Sequence, residues 1–135
     1  MNDETIAATF ERLPEWVNHD SALLHRGRWC ATSFLIGAGA VPLYVGIDAG
    51  RILHVQRGPA LMRSWRFAVR ADADAWTRFW QPLPEPGFHD LLAMSRFGRA
   101  VIEGDLQPFM ANLRYFKEVL EAPRRAMVAA GGAKS

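Results

Sequence analysis

Arg99-Ala100-Val101-Ile102-Glu103-Gly104-Asp105-Leu106-Gln107-Pro108-Phe109-Met110 reads as a short strand that stops at a glycine and restarts as a helix. Phe109, Leu113, Phe116 and Leu120 follow at spacings of three and four, so they share one helical face. Asp105 is placed as an N-cap, its carboxylate accepting from the unpaired amides of the first turn. Pro108 is tolerated there because those early amides have no intrahelical partner to lose. Gly104 lets the backbone turn sharply between the two elements. The segment specifies one strand, one corner and one apolar C-terminal helix expected to fade near Pro123.

The elements before it follow from periodicity. Ile6, Phe10, Leu13 and Val17 predict a helix from Asp3 that ends or turns at Pro14. Trp29 to Gly37 is an apolar run closed by Gly37-Ala38-Gly39, a turn signal. Val41, Leu43, Val45 and Ile47 alternate with Pro42, Tyr44, Gly46 and Asp48, the pattern of a strand with one buried face. Asp48-Ala49-Gly50 suits a hairpin turn into a third strand, Arg51 to Arg57, ended by Gly58-Pro59. From Ser64 to Ala71, Trp65, Phe67 and Val69 point one way while Arg66 and Arg70 point the other. Asp72-Ala73-Asp74 starts a helix bearing Trp76, Phe79 and Trp80, which the stretch Pro82 to Gly87 breaks. A further helix is expected from Phe88 to Phe97, ended by Gly98. The order is helix, four strands in a meander, two short helices, one strand and one long helix. That predicts an α+β fold: a five-stranded, mainly antiparallel twisted sheet with helices packed on one face.

At 135 residues, one domain is expected: a helical segment 3–24, a core 29–122 and a frayed tail 126–135. The net charge of +2, with arginines scattered, argues against a nucleic-acid partner, which favours a dense basic stripe. One cysteine excludes an internal disulfide and fits a reducing compartment. No signal peptide or membrane-length apolar run is visible, so the expected setting is cytoplasmic, without stable membrane insertion. Five Trp and eight Phe stand against only two Tyr. Large apolar rings either fill a core or line a hollow one.

The strand-Gly-Asp-helix run at Arg99 to Phe109 resembles the sterol carrier protein 2 (sterol-binding) family. So do the hairpin at Asp48-Ala49-Gly50 with Ile52 to Gly58, and the passage from Trp65 to Arg70 through Asp72-Ala73-Asp74 into the Trp76 helix. The resemblance spans about Trp29 to Leu120, and its motifs mark a fold, not a catalytic site. It implies an apolar tunnel between sheet and helices that takes fatty acids, acyl-CoA thioesters, sterols or other lipids. The sequence departs from the family in lacking a Ser-Lys-Leu type peroxisomal ending and in its Trp- and Pro-rich stretch from Trp76 to Phe88.

Candidate ligand-binding residues are Trp76, Phe79, Trp80, Phe88, Met94 and Phe97 on the middle helices. Phe109, Met110, Leu113 and Phe116 join them from the last helix. These rings and thioethers either wall a cavity or pack a solid core, and sequence leaves both open. No catalytic residue and no metal ligand set is assigned, and no cofactor is expected. The histidines His19, His25, His54 and His89 lack metal-site spacing, and Cys30 reads as a small buried hydrophobe. Asp105 and Glu103 are structural. Arg57, Arg63, Arg66 and Arg70 solvate the open sheet face or greet an anionic group.

The leading expectation is a small carrier or binding protein for an apolar ligand. An accessory module with a solid core is the alternative, including a homodimer built through the sheet face that carries Tyr44, Arg66 and Arg70. A third reading is an enzyme with His89 or Asp90 as acid/base, which requires His89 to point into a closed cavity beside a second polar group.

Overall fold

The computed structural model describes residues 1–58 and 64–133. Three helices lead the chain: α1 (Asp3–Glu11), α2 (Leu13–Val17) and α3 (Ser21–Arg26). Four strands follow, β1 (Ala31–Ala38), β2 (Val41–Asp48), β3 (Arg51–Arg57) and β4 (Phe67–Ala71). Then come α4 (Ala73–Phe79), α5 (Leu91–Arg96), β5 (Ala100–Gly104), α6 (Gln107–Ala111) and α7 (Leu113–Ala133). Caps fix the starts of several helices. Asn2 and Thr5 form a reciprocal capping box, Asp20 accepts the amide of Leu23, and Asp72 accepts that of Ala75.

The five strands form one sheet in the order β3-β2-β1-β4-β5. The predicted α+β architecture is present, with one qualification: β1 and β4 run parallel, while the other pairs are antiparallel. The meander therefore stops at β3. Instead of adding to β3, the chain crosses back and pairs β4 with the free side of β1, Phe34 opposite Phe67 and Ile36 opposite Val69. Alternation tells which face of a strand is buried but not which strand lies beside it, so four consecutive strands look like a meander in sequence. At the β2–β3 turn Ala49 (φ 52°) and Gly50 (φ 78°) both take the left-handed conformation, as the two-residue hairpin requires.

The helix-facing side of the sheet carries Phe34, Ile36, Leu43, Val45, Phe67 and Val69, all buried. On the opposite side Arg70 pairs with Glu103 at 2.7 Å and Arg66 with Asp105 at 2.6 Å. That side is not uniformly wet, because Leu35 and Ala68 at the sheet centre are also buried. Trp65 departs from its expected place in the core. It precedes the first ladder pair of β4, is only partly buried, and lies 5.7 Å from the guanidinium of Arg70. A residue outside the ladder is not held to the alternation of the pleat. Pro59 and Arg63, read from sequence as a turn residue and a member of the arginine cluster, lie outside the described residues.

The C-terminal helix also differs from expectation. It is two helices, broken at Asn112 (φ −125°, ψ 34°), and the second does not fade at Pro123 but runs to Ala133. Tertiary contacts hold the turn that the proline disturbs. The Trp80 indole donates to the Leu120 carbonyl at 2.9 Å, and Arg124 Nε donates to the Phe79 carbonyl at 2.9 Å.

Candidate functional site

Between the sheet and the C-terminal helices lies a run of aromatic rings. The parallel register sets Phe34 of β1 beside Phe67 of β4, and their rings stack at 5.0 Å with 10° between planes. Phe116 of α7 stands edge-on to both, at 5.3 Å from Phe34 and 5.1 Å from Phe67. Phe109 of α6 closes the group at 5.3 Å from Phe67 and 5.8 Å from Phe116. Tyr115 extends it at 5.3 Å from Phe116 and donates its hydroxyl to the Gly50 carbonyl. Centroid separations of this size are those of favourable edge and offset ring pairs.

A second ring group belongs to α4 and α1. Phe10 lies 4.9 Å from Trp76 and 5.0 Å from Trp80, and Phe79 sits 5.8 Å from Trp76. Both indoles find acceptors, Trp76 on Gly37 O and Trp80 on Leu120 O. No polar or charged residue is buried among the described residues, so both groups are walled by apolar surface.

The ten residues singled out from sequence thus divide. Trp76, Phe79 and Trp80 meet in one group, and Phe109 and Phe116 in the other. Phe88 and Met94 are buried, with the guanidiniums of Arg78 and Arg99 at 5.5 and 4.9 Å from the Phe88 ring. Leu113 is half-buried and borders a shallow depression with Arg114 and Lys117. Phe97 and Met110 are on the surface, 67% and 53% exposed. Helix α5 stops at Arg96, leaving Phe97 at its C-terminal cap, and α6 turns Phe109 inward, which aims its neighbour Met110 outward.

Sequence reasoning left Phe10, Phe34, Phe67 and Tyr115 off the list of candidates. Alternation in the strands marked Phe67 as inward-facing, but only strand pairing could bring it to Phe34. Tyr115 has no comparable signal in sequence. It is buried because Gly27 has no side chain where its ring lies: a Cβ there would stand 2.3 Å from Tyr115 Cε1.

A cleft of about 390 Å³ opens beside the first ring group. Trp29, Cys30 and Ala31 at the start of β1 form one side, Gln107, Pro108 and Ala111 of α6 the other, with Arg66 and Asn112 between. Cys30 and Pro108 are the buried members of this lining. Burial pushes the Cys30 thiol up to about 11, and raises the Tyr115 phenol, with Cys30 adding a smaller effect. Neither group is set up for nucleophilic work.

Helix α6 is a short bracket over this cleft. Gly104 (φ +99°) makes the corner before it, and Asn112 breaks the chain after it. Asp105 does not act as the helix N-cap, which is Leu106 without a side-chain bond. It instead accepts the Gln107 amide at 3.2 Å and the Arg66 guanidinium at 2.6 Å. These two contacts, the guanidinium first, hold its carboxyl below the usual carboxylate range.

The acid/base reading at His89 does not survive. His89 is exposed, while Asp90 caps α5 and pairs with Lys117 at 3.0 Å, so neither meets the other in a closed pocket. Among the described residues no group of three His, Cys, Asp or Glu could hold a metal ion. Among the same residues no helix is long and apolar enough to cross a membrane.

No protein-family model matches the sequence, and no curated protein matches it. Solved structures do. A sterol carrier protein 2 crystal structure superposes with a TM-score of 0.67 at 15% identity, covering 87% of this chain and 94% of that one. A conserved hypothetical protein from Thermus thermophilus, described as possibly a sterol carrier protein, matches with a TM-score of 0.60 at 12% identity, covering 84% and 85%. The ubiquinone synthesis protein UbiJ-SCP2 matches with a TM-score of 0.56 at 16% identity, covering 87% and 89%. At such identities the likeness is one of fold, and the fold of this chain is that of sterol carrier protein 2.

Proposed function

We propose that this chain is a binding or carrier module for an apolar ligand, taken up between the sheet and helices α6 and α7. One observation carries the reading. An uncharged aromatic group, Phe34, Phe67, Phe109 and Phe116, lies behind a cleft whose outer wall is a five-residue helix with a break at each end. Displacing α6 carries Phe109 with it and exposes the faces of Phe67 and Phe116 to an acyl chain or a fused-ring lipid. Affinity then comes from buried apolar area, about 25 cal/mol per Å², with few polar contacts to fix orientation. Leu113 packs against the same core from α7, and in this reading a longer ligand reaches onward to Trp76, Phe79, Trp80, Phe88 and Met94. The names of two solved neighbours, a sterol carrier protein and a ubiquinone synthesis protein, agree with a ligand of this class.

The test is titration of the full chain with cis-parinaric acid, a long-chain acyl-CoA and a sterol, following probe and tryptophan fluorescence. The carrier reading expects saturable binding of at least one class, weakened by Phe109→Ala. The rings already meet one another at contact separations, which favours a second reading, an accessory module with a solid core. No binding in any titration, and no lipid carried through purification by mass spectrometry, selects that module and rejects the carrier.

A further inference from the structure

Among the described residues no large apolar side chain is more exposed than Leu83, at 91%. It stands in Gln81-Pro82-Leu83-Pro84-Glu85-Pro86-Gly87, the Pro-rich stretch between α4 and α5. Nothing in the proposed ligand site uses this stretch. Each proline fixes its own φ at about −65°. Each also biases the residue before it toward extended backbone. Pro82, Pro84 and Pro86 therefore restrict every residue from Gln81 to Pro86. Both ends of the loop are held as well. The Gln81 amide donates to the Arg78 carbonyl at 3.3 Å, and its side-chain amide donates to the Thr77 carbonyl at 3.2 Å. At the other end the Phe88 amide donates to the Glu85 carbonyl at 2.9 Å, and Arg78 reaches across to the Glu85 carboxylate at 3.2 Å. Pro82 and Leu83 border one shallow depression together with Arg78, Gln81 and Glu85. The Phe97 ring lies against Gly87, where a Cβ would stand 3.3 Å from its Cδ2, so the foot of the loop carries an exposed ring.

A stiff loop thus holds a leucine out in water, where its apolar surface gains nothing from the rest of the chain. The carbonyls of Pro82, Leu83 and Pro84 accept no hydrogen bond from any described residue. Exposed prolyl rings, free acceptors and an apolar tip match one kind of surface. It is a protein groove whose aromatic rings meet the prolines and whose indole or phenol groups donate to the carbonyls, with a pocket for the leucine. The loop has little conformational freedom left to lose on binding. A bilayer fits less well, because its apolar interior offers the carbonyls no donor. Arg78, the cation at the loop, is already shared between Asp74 at 3.0 Å and Glu85, which leaves little positive charge to draw the loop to phosphates.

We propose that the Pro82-Leu83-Pro84 tip is the docking point for a second protein that carries an aromatic-lined, proline-reading groove, with Leu83 as the anchor. The contact uses no residue of the proposed ligand site, so its success or failure leaves the carrier reading untouched.

The test runs in two steps. Benzoylphenylalanine replaces Leu83 in the full chain, is photo-activated in the cells that make the protein, and the crosslinked neighbour is identified by mass spectrometry. That neighbour is then purified and titrated with the unlabelled chain by calorimetry. Saturable binding is expected, and poly-L-proline should compete for it. Leu83→Ala should weaken it on the order of tenfold, through the apolar area lost. Pro82→Ala with Pro86→Ala should weaken it by roughly fivefold, because the freed chain then has entropy to lose. Leu53→Ala, an exposed apolar change on β3, should leave it unchanged. Circular dichroism checks that each variant is folded, and the proline variant decides the matter if Leu83→Ala is not. Uptake of cis-parinaric acid, where the wild type shows it, should be the same in Leu83→Ala. A crosslink to no protein overturns the proposal, as does equal binding by Leu83→Ala or the proline variant. Crosslinking only to a second copy of this chain overturns it in favour of self-association, and crosslinking only to lipid overturns it in favour of a membrane contact. Binding that poly-L-proline does not displace rejects the proline-reading groove.

Discussion

Arg66 holds Asp105 at 2.6 Å across the corner where β5 gives way to α6, and the same carboxylate accepts the Gln107 amide at 3.2 Å. One ion pair thus ties the sheet to the start of the helix that covers the aromatic group.

Asp105→Ala should therefore loosen α6 without unfolding the sheet. Amide exchange in Gln107–Ala111 is expected to quicken near neutral pH while that of β1 and β4 stays protected. The pH dependence follows from the depressed carboxyl. The folded value lies below the unfolded one, so the contribution is present above about pH 4 and is lost as pH falls through the folded value. Wild type and variant should then exchange alike in acid. A difference that persists in strong acid would rule the ion pair out as the cause.

Phe116 touches Phe34, Phe67, Phe109 and Tyr115 and is fully buried. Phe116→Ala should lower the unfolding free energy by about 3–5 kcal/mol, the usual cost of emptying a packed aromatic site. Urea unfolding measures it. A loss below about 1 kcal/mol would mean the site is already partly hollow.

Trp80 gives a subtler test. Trp80→Phe keeps most of the ring volume but removes the indole hydrogen bond to the Leu120 carbonyl, in the turn disturbed by Pro123. A cost of about 0.5–1.5 kcal/mol is expected for the lost bond. Helicity should fall selectively beyond Leu120, and exchange in the second half of α7 should quicken.

Cys30 should be chemically silent in the folded protein. With its thiol pushed up to about 11, only about one molecule in a thousand carries thiolate at pH 8. Maleimide should label it slowly in the native state and rapidly in urea. The folded value is raised, so this group's contribution to stability is full below its unfolded pKa. It declines as pH rises from there toward about 11. Fast native labelling would show that the floor of the cleft opens.

Much of this molecule is legible one segment at a time. Inward positions in β2 (Leu43, Val45, Ile47) and β4 (Phe67, Val69) follow from alternation, because the pleat repeats every two residues. The helix start at Asp72 and the corner at Gly104 follow from what a carboxylate and a missing Cβ permit. Burial of Trp76, Phe79 and Trp80 follows from spacing on one helical face, as does that of Phe116 and Leu120. Phe97 and Met110 escaped the pattern, since helix ends and short helices present neighbours to opposite sides.

By itself, then, the sequence determined the type of most elements, most of the faces they bury and the hairpin and corner that need special backbone angles. All of these depend on residues within a few positions of one another. The tertiary structure alone decided that β4 lies against β1, which stacks Phe34 on Phe67. It alone carried α7 past Pro123, through the indole of Trp80 forty positions away. It alone put Trp29, Arg66 and α6 around one cleft. Each of these is a choice among long-range partners, fixed by which combination fills the core and satisfies its buried polar groups, and no local pattern encodes it.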